Sequence, residues 1–226
     1  MKKVYLTLGA ITLLSCAVLL LAQAEPRMEI IKETKSTISS QSQTKGKALV
    51  AYFTWPEPDG VDASSGASRV IADSQLYGNT EYVARLISEA TGGDLFAIKT
   101  ERTYPTPHKA LIDDAKKEAE ADERPKLTTH ITNLADYDVI FVGYPNWWYD
   151  MPMAIYTFFD EYDFSGKTII PFVTHGGSSF SQSVETIAKM EKGAKIIKGP
   201  SIPARSVPNS KSSIVNWLQQ QGLINK

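Results

Sequence analysis

The chain has 226 residues, 42% of them hydrophobic, and a formal net charge of -1 with both signs interspersed. That length allows one good-sized domain with appendages, and the interspersed charges give no sign of a nucleic-acid surface, so no nucleic acid is expected as a partner. The one cysteine, Cys16, lies in the N-terminal apolar run, so the rest of the chain has no disulfide, no thiolate metal site and no cysteine nucleophile.

Lys2 and Lys3 precede an uncharged run over residues 4–22, and Ala22-Gln23-Ala24 fits a small-x-small cleavage site. This predicts a signal peptide over residues 1–24, with Glu25 as the first mature residue. Left uncleaved, the run is barely long enough to act as a membrane anchor. A lipoprotein site at Leu13-Leu14-Ser15-Cys16 ranks third, because Leu14 matches poorly and the apolar run continues past Cys16. All three readings place the folded domain outside the cytoplasm, periplasmic or extracellular, because the basic flank stays inside. Contact with the membrane is then expected only through this segment. Residues 25–46, rich in Ser, Thr, Lys and Gln, read as a solvated linker to a domain over residues 47–226.

Residues 48–53 form an apolar run of strand length, strand 1. Residues 55–77 hold Pro56, Pro58, Gly60, Ser64, Ser65 and Gly66 and read as one long irregular loop. Gly78-Asn79-Thr80 opens a helix whose Val83, Leu86, Ile87 and Ala90 share a face, and Gly92-Gly93 stops it. Strand 2 spans 95–98, and a loop around Tyr104 follows over 103–107. Residues 109–122 give a mostly solvated helix with a weak apolar stripe of Leu111, Ile112, Ala115 and Ala119. Strand 3, over 138–143, is apolar without alternation, as a strand buried on both faces reads. The chain then turns at Gly143 and Pro145 and meets Trp147, Trp148 and Tyr149. A helix follows over 153–161, with Asp150 as its expected N-cap and Pro152 in its first turn. Strand 4 (168–173), a Gly- and Ser-rich loop (174–179), a helix (181–190), strand 5 (195–197), a proline-containing loop (199–208) and a last helix (211–221) complete the chain.

Strands and helices alternate throughout, which implies right-handed crossovers and an α/β fold: a doubly wound, five-stranded parallel sheet with helices on both faces. In the order 2-1-3-4-5 the winding reverses between strands 1 and 3, and the crevice at their carboxyl ends is the expected ligand site. Three loops converge there. The first offers Thr54, Trp55, Gly78, Asn79 and Thr80 at a helix N-terminus, whose unpaired N–H groups suit a phosphate; from this loop alone, Asn79 or Thr80 as a simple N-cap is the better reading. The second offers Tyr144, Pro145, Asn146, Trp147, Trp148 and Tyr149, whose rings suit a flat conjugated ligand, although core packing suits one of the tryptophans equally. The third offers His175, Gly176 and Gly177, with backbone N–H groups for ring heteroatoms. His175 also brings an imidazole near a reduced ring, but a solvated or capping histidine is the more economical reading, and no residue is assigned as catalytic. His108 and His130 lie on solvated stretches and receive no role. Together the loops match a phosphorylated ring cofactor such as FMN.

These residues resemble the flavodoxin family. Ala51-Tyr52-Phe53-Thr54, followed by Gly78-Asn79-Thr80, looks like its phosphate loop. More specific is Gly143-Tyr144-Pro145-x-Trp147-Trp148-x-x-Met151-Pro152, followed by Tyr162-Asp163-Phe164-Ser165-Gly166-Lys167 and Thr174-His175-Gly176-Gly177, which is similar to a bacterial branch of the family. The resemblance implies FMN, with its phosphate at Gly78 to Thr80 and its ring between loops 144–149 and 174–178. The chain departs from the family pattern in the 55–77 insertion and in export.

The function this implies is electron transfer by an exported FMN-binding protein, with a redox partner protein or a small-molecule electron acceptor. Asp150, beside the aromatic loop, adds negative charge that opposes reduction. One alternative is an FMN-dependent NAD(P)H:acceptor oxidoreductase of the quinone type, for which no G-x-G-x-x-G follows a strand. Another is a cofactor-free binding module on the same fold. A hydrolase has little support, with no G-x-S-x-G elbow and no clustered metal ligands.

Overall fold

The computed structural model describes residues 46–56, 69–72 and 74–225. The expected signal peptide, anchor or lipoprotein site, residues 25–45 of the linker, and residues 57–68 and 73 of the expected long loop lie outside the described residues.

The central strand is β1 (Ala48–Tyr52), and all five of its residues are buried. The strands that follow are β2 (Arg69–Ala72), β3 (Gln75–Gly78), β4 (Asp94–Ala97), β5 (Val139–Pro145), β6 (Thr168–His175), β7 (Lys195–Ile196) and β8 (Ser201–Pro203). The helices are α1 (Asn79–Thr91), α2 (His108–Glu120), α3 (Met153–Glu161), α4 (Ser183–Met190) and α5 (Lys211–Gln220). The main sheet runs β4-β1-β5-β6-β7, with every pairing parallel. In order of the parallel strands this is 2-1-3-4-5, as expected.

The two faces of the sheet build two cores. Ala48, Val50, Phe141 and Phe172 face α1 and α5, where Val83, Ile87, Ile214 and Leu218 meet them. Leu49, Ala51, Ile140 and Val142 belong to the other core, with Leu111, Ile155, Phe158 and Ile187 of α2, α3 and α4. Strand side chains alternate between faces, so each unbroken apolar run feeds both layers. The expected glycine stop of α1 is present: Gly92 adopts φ 71° and returns its N–H to the Ser88 carbonyl.

The structure corrects four expectations. The 55–77 segment is not irregular throughout. β2 and β3 pair antiparallel with Arg69 opposite Gly78, and Val70 is buried while Ile71 is exposed. The 199–208 loop contains a sixth parallel strand, β8, beside β6, and a 3-10 turn over Ala204–Asn209. The edge strand is thus split along β6, and Gly199 sits at the split because a Cβ there would lie 2.4 Å from the Pro171 carbonyl oxygen. On α2 the buried residues are Leu111, Ala115 and Glu118, whereas Ala119 is exposed. Asp150 does not cap α3, because Pro152 holds that position in extended conformation.

Candidate functional site

A cavity of about 710 Å³ opens at the carboxyl ends of β1, β5 and β6, where the winding reverses. From the first loop Thr54, Trp55, Asn79 and Thr80 line it. Gly78 does not, but it sets the geometry: a Cβ there would lie 2.0 Å from Thr54 Oγ1. Neither Asn79 nor Thr80 is the N-cap of α1. Gly78 occupies that position, and no side chain of the described residues caps the helix. Its first turn therefore presents backbone N–H groups and the positive end of the helix dipole to the cavity. Thr80 is 1% exposed, and its Oγ1 lies 2.8 Å from Thr174 Oγ1, which ties the helix start to the end of β6.

The second loop contributes Pro145, Asn146, Trp147, Trp148 and Tyr149. Tyr144 points away from the cavity. It is fully buried and donates its hydroxyl to Ser183 Oγ at 2.8 Å, and burial holds its phenol well above the usual range. Trp147 and Asp150 exchange both backbone hydrogen bonds at 3.0 Å. Trp148 (φ 51°) and Tyr149 (φ 64°) between them are both left-handed, as in a type I′ turn. Such turns favour Asn and Gly, and a bulky residue in that region costs of order 1–3 kcal/mol.

Around this turn the anchors are specific. Trp147 meets Phe53 and Tyr104 edge-on, with centroids 5.6 and 5.4 Å apart, so this tryptophan takes the packing role. Trp148 donates its indole N–H to the Ile112 carbonyl at 2.8 Å, with the Lys116 ammonium 5.3 Å from its ring. Tyr149 is 67% exposed. Asp150 braces the turn, accepting from the Tyr156 hydroxyl and the Gln182 amide, both at 2.9 Å.

The third loop contributes His175, Gly176 and Gly177 together with Thr174 and Ser178. A Cβ on Gly177 would meet nothing within 4 Å, so this stretch leaves open space. Asn146 links the second and third loops through its side-chain amide, which donates to the Ser179 carbonyl at 3.0 Å. His175 is 8% exposed. Its Nε2 lies 3.0 Å from Ser201 Oγ, and its Nδ1 is buried with no hydrogen-bond partner among the described residues. Burial, and then the Arg205 charge, lower its pKa, so the imidazole is neutral at pH 7.

The helix α2 was not expected at the site, yet His108, Leu111, Ile112 and Ala115 form one wall of the cavity. His108 is therefore not simply solvated, whereas His130 lies 3.1 Å from Glu161 away from the cavity lining. Behind this wall sit two buried residues with no role assigned from sequence. Tyr104 is 1% exposed and donates to Glu118, with both carboxylate oxygens at 3.0 Å. Glu118, itself 1% exposed, lies three residues beyond Ala115 and seven beyond Leu111, and that spacing was the available signal. Burial is the largest influence on Glu118 and raises its pKa. Among the described residues no cluster of His, Cys, Asp or Glu is arranged to hold a metal.

No curated protein matches the chain. A solved Bacteroides uniformis protein, assigned as a flavoprotein, is 29% identical with a TM-score of 0.59, over 77% of this chain and 98% of its own. A second, from Bacteroides eggerthii and likewise assigned, is 25% identical with a TM-score of 0.53, over 75% and 98%. A Lactobacillus acidophilus flavoprotein solved in complex with FMN shares the fold at 19% identity and a TM-score of 0.53, over 74% and 99%. The profile of the flavodoxin family matches residues 68–221, more than half of the sequence. With the sheet order and the cavity at its switch point, the chain belongs to the flavodoxin family.

Proposed function

We propose that this protein binds FMN in the cavity and serves in electron transfer outside the cytoplasm. The observation that carries the reading is the aromatic turn at Trp147–Asp150, held in a costly left-handed conformation in the same cavity as the uncapped start of α1. Strain of this kind persists where surrounding contacts enforce it, and it concentrates at ligand sites. The residues fit the cofactor at each of its parts. The first-turn N–H groups of α1, with Thr54, Asn79 and Thr80, suit the phosphate. The rings of Trp147, Trp148 and Tyr149 suit a flat conjugated system, and the open space beside Gly177 admits its edge. Gly78 and Tyr144 support from behind, one by clearing room for Thr54 and the other by anchoring the loop to Ser183. FMN, when bound, supplies reversible uptake of one or two electrons.

The chain's own residues would bind and tune. The aromatic walls and the buried Thr174 and His175 exclude water, so charge is felt more strongly inside the site. Neutral His175 adds no cation to favour a negative ring, and Asp150 at the turn opposes one. All three features favour a low potential. The partner is a redox protein or a small-molecule acceptor reached at the cavity mouth beside Tyr149. Export rests on the N-terminal sequence alone, and N-terminal sequencing of the protein from the periplasmic fraction tests it.

The first experiment is the visible absorption spectrum of the purified protein with and without added FMN. A flavin spectrum that survives gel filtration is the expected result, and a colourless protein that leaves FMN unperturbed refutes the reading. The apolar wall of Leu111, Ile112 and Ala115 favours a second reading, because it extends the cavity beside the aromatic turn and gives a nicotinamide or quinone an apolar seat. Anaerobic bleaching of the bound flavin by NADPH would establish that NAD(P)H-dependent oxidoreductase, and no bleaching would dismiss it.

A further inference from the structure

We infer that Tyr104 and Glu118 form a redox-active phenol–carboxylate pair that delivers an electron to the tryptophans of the cavity wall, with Glu118 receiving the phenolic proton. The placement carries this inference. Tyr104 is sealed from solvent, and its hydroxyl lies 3.0 Å from each Glu118 oxygen. Its ring meets Trp55 and Trp147 edge-on, both at 5.4 Å between centroids, and both tryptophans line the cavity. One unbroken path of aromatic contact thus runs from the cavity to a buried phenol that already holds a proton acceptor.

The step balances. A one-electron oxidant in the cavity takes an electron from Trp147, and Tyr104 returns one to it. The phenolic O–H bond breaks, and its proton moves along the existing hydrogen bond to form an O–H bond on Glu118. The products are a neutral tyrosyl radical, a neutral carboxylic acid, an intact tryptophan and an oxidant reduced by one electron. An excited flavin is the oxidant that the FMN reading supplies.

The surroundings of Glu118 favour accepting that proton. The groups facing the pair are Tyr104 itself, Arg102, Asp114 and Glu123. Arg102 is 3.6 Å from Glu118 but holds Asp114 at 2.6 Å and Glu123 at 3.0 Å. Protonating Glu118 therefore leaves Arg102 paired and removes a negative charge from among three carboxylates around one cation. Burial raises the Glu118 pKa and makes it a stronger base than an exposed carboxylate. Because proton and electron leave Tyr104 together, no net charge is stranded on the phenol in a low-dielectric site.

The test uses azide radicals, generated by pulse radiolysis in the cofactor-free protein, which oxidise tryptophan side chains. The expected result is decay of the tryptophan radical into a tyrosyl radical at a rate independent of protein concentration. Tyr104→Phe, which keeps the ring packing, should abolish most of that conversion. Glu118→Gln, which still accepts the hydrogen bond but not the proton, should slow it at least ten-fold and remove its slowing in D2O. Unchanged conversion in Tyr104→Phe overturns the inference, since other tyrosines would then carry it, and so does an unchanged rate in Glu118→Gln. Near-ultraviolet circular dichroism confirms that both variants fold. A protein that fails to retain FMN would overturn the cofactor reading and leave the azide experiment decisive for the pair.

Discussion

Replacing Gly78 with alanine separates two physical effects by sign. Gly78 has φ -67° and ψ 146°, a conformation any residue adopts. At such a position Gly→Ala normally stabilises by about 0.4–1 kcal/mol, because it reduces the freedom of the unfolded chain. Here the new methyl would lie 2.0 Å from Thr54 Oγ1, 3.0 Å from its Cβ and 3.1 Å from its Cγ2. Overpacking of this kind costs about 1–3 kcal/mol, so we expect Gly78→Ala to destabilise by about 2 kcal/mol. Thr54→Ala removes the two outer atoms and leaves only the contact at 3.0 Å, so the double variant should recover most of the loss. The expected coupling is about 1–2 kcal/mol, within the range for residues in contact. Urea denaturation at constant slope reads the cycle, and FMN titration reads the helix start that the clash displaces. A stabilised Gly78→Ala, or additive effects in the double variant, would refute the account of how Thr54 seats against α1.

Tyr149→Gly should raise the unfolding free energy by about 0.5–1 kcal/mol, since it relieves a left-handed tyrosine that is 67% exposed. The same change should weaken FMN binding, read by fluorescence titration; a variant that gains no stability would remove strain from the argument. Gly143→Ala should cost about 3 kcal/mol by urea denaturation, because its Cβ would sit 2.0 Å from the Phe172 ring. Glu191 is pushed up to about 7, from 4.5, by burial and by the nearby Asp163 and Asp160. The folded state therefore binds the Glu191 proton more tightly than the unfolded chain. Its contribution to stability is present below pH ~4.5 and lost as pH rises through ~7, by about 1 kcal/mol once solvent screening is allowed for. Glu191→Gln should flatten that slope in stability measured between pH 5 and 8, and an unchanged slope would contradict the assignment.

The parallel sheet was legible because each of its central strands reads as an apolar run that must be covered on both sides. Residues 48–52 and 139–142 carry that signal without a polar interruption. Loop convergence then followed from topology, and twelve of the fourteen expected residues line the cavity. The hairpin β2–β3 was not legible, because two four-residue strands offer too few positions for a period of two to stand out. The misreading of α2 has a different cause. Periodicity scores apolar residues, and it selected Ala119 over Glu118, although only Glu118 is buried.

Asp150 illustrates how one spacing admits two structures. Asp two residues before Pro and three before Met153 fits a helix N-cap, and it equally fits the closing residue of a tight turn. Pro152, fixed in extended conformation, decides for the turn. That choice forces Trp148 and Tyr149 into the left-handed region, against the preference of bulky side chains. Glu118 is a second departure from the cheapest packing, a buried carboxylate that needs the Tyr104 hydroxyl and the Arg102 guanidinium, 3.6 Å away, as partners. Both features flank one cavity: the turn lies at its mouth, and the carboxylate lies behind Tyr104 and the tryptophans of its wall. Packing alone would have placed Asn-Gly in the turn and an apolar residue at 118. A fold that keeps a strained turn and a buried carboxylate around one cavity concentrates its departures from the cheapest packing at that cavity, where natural sequences accept such departures for a site.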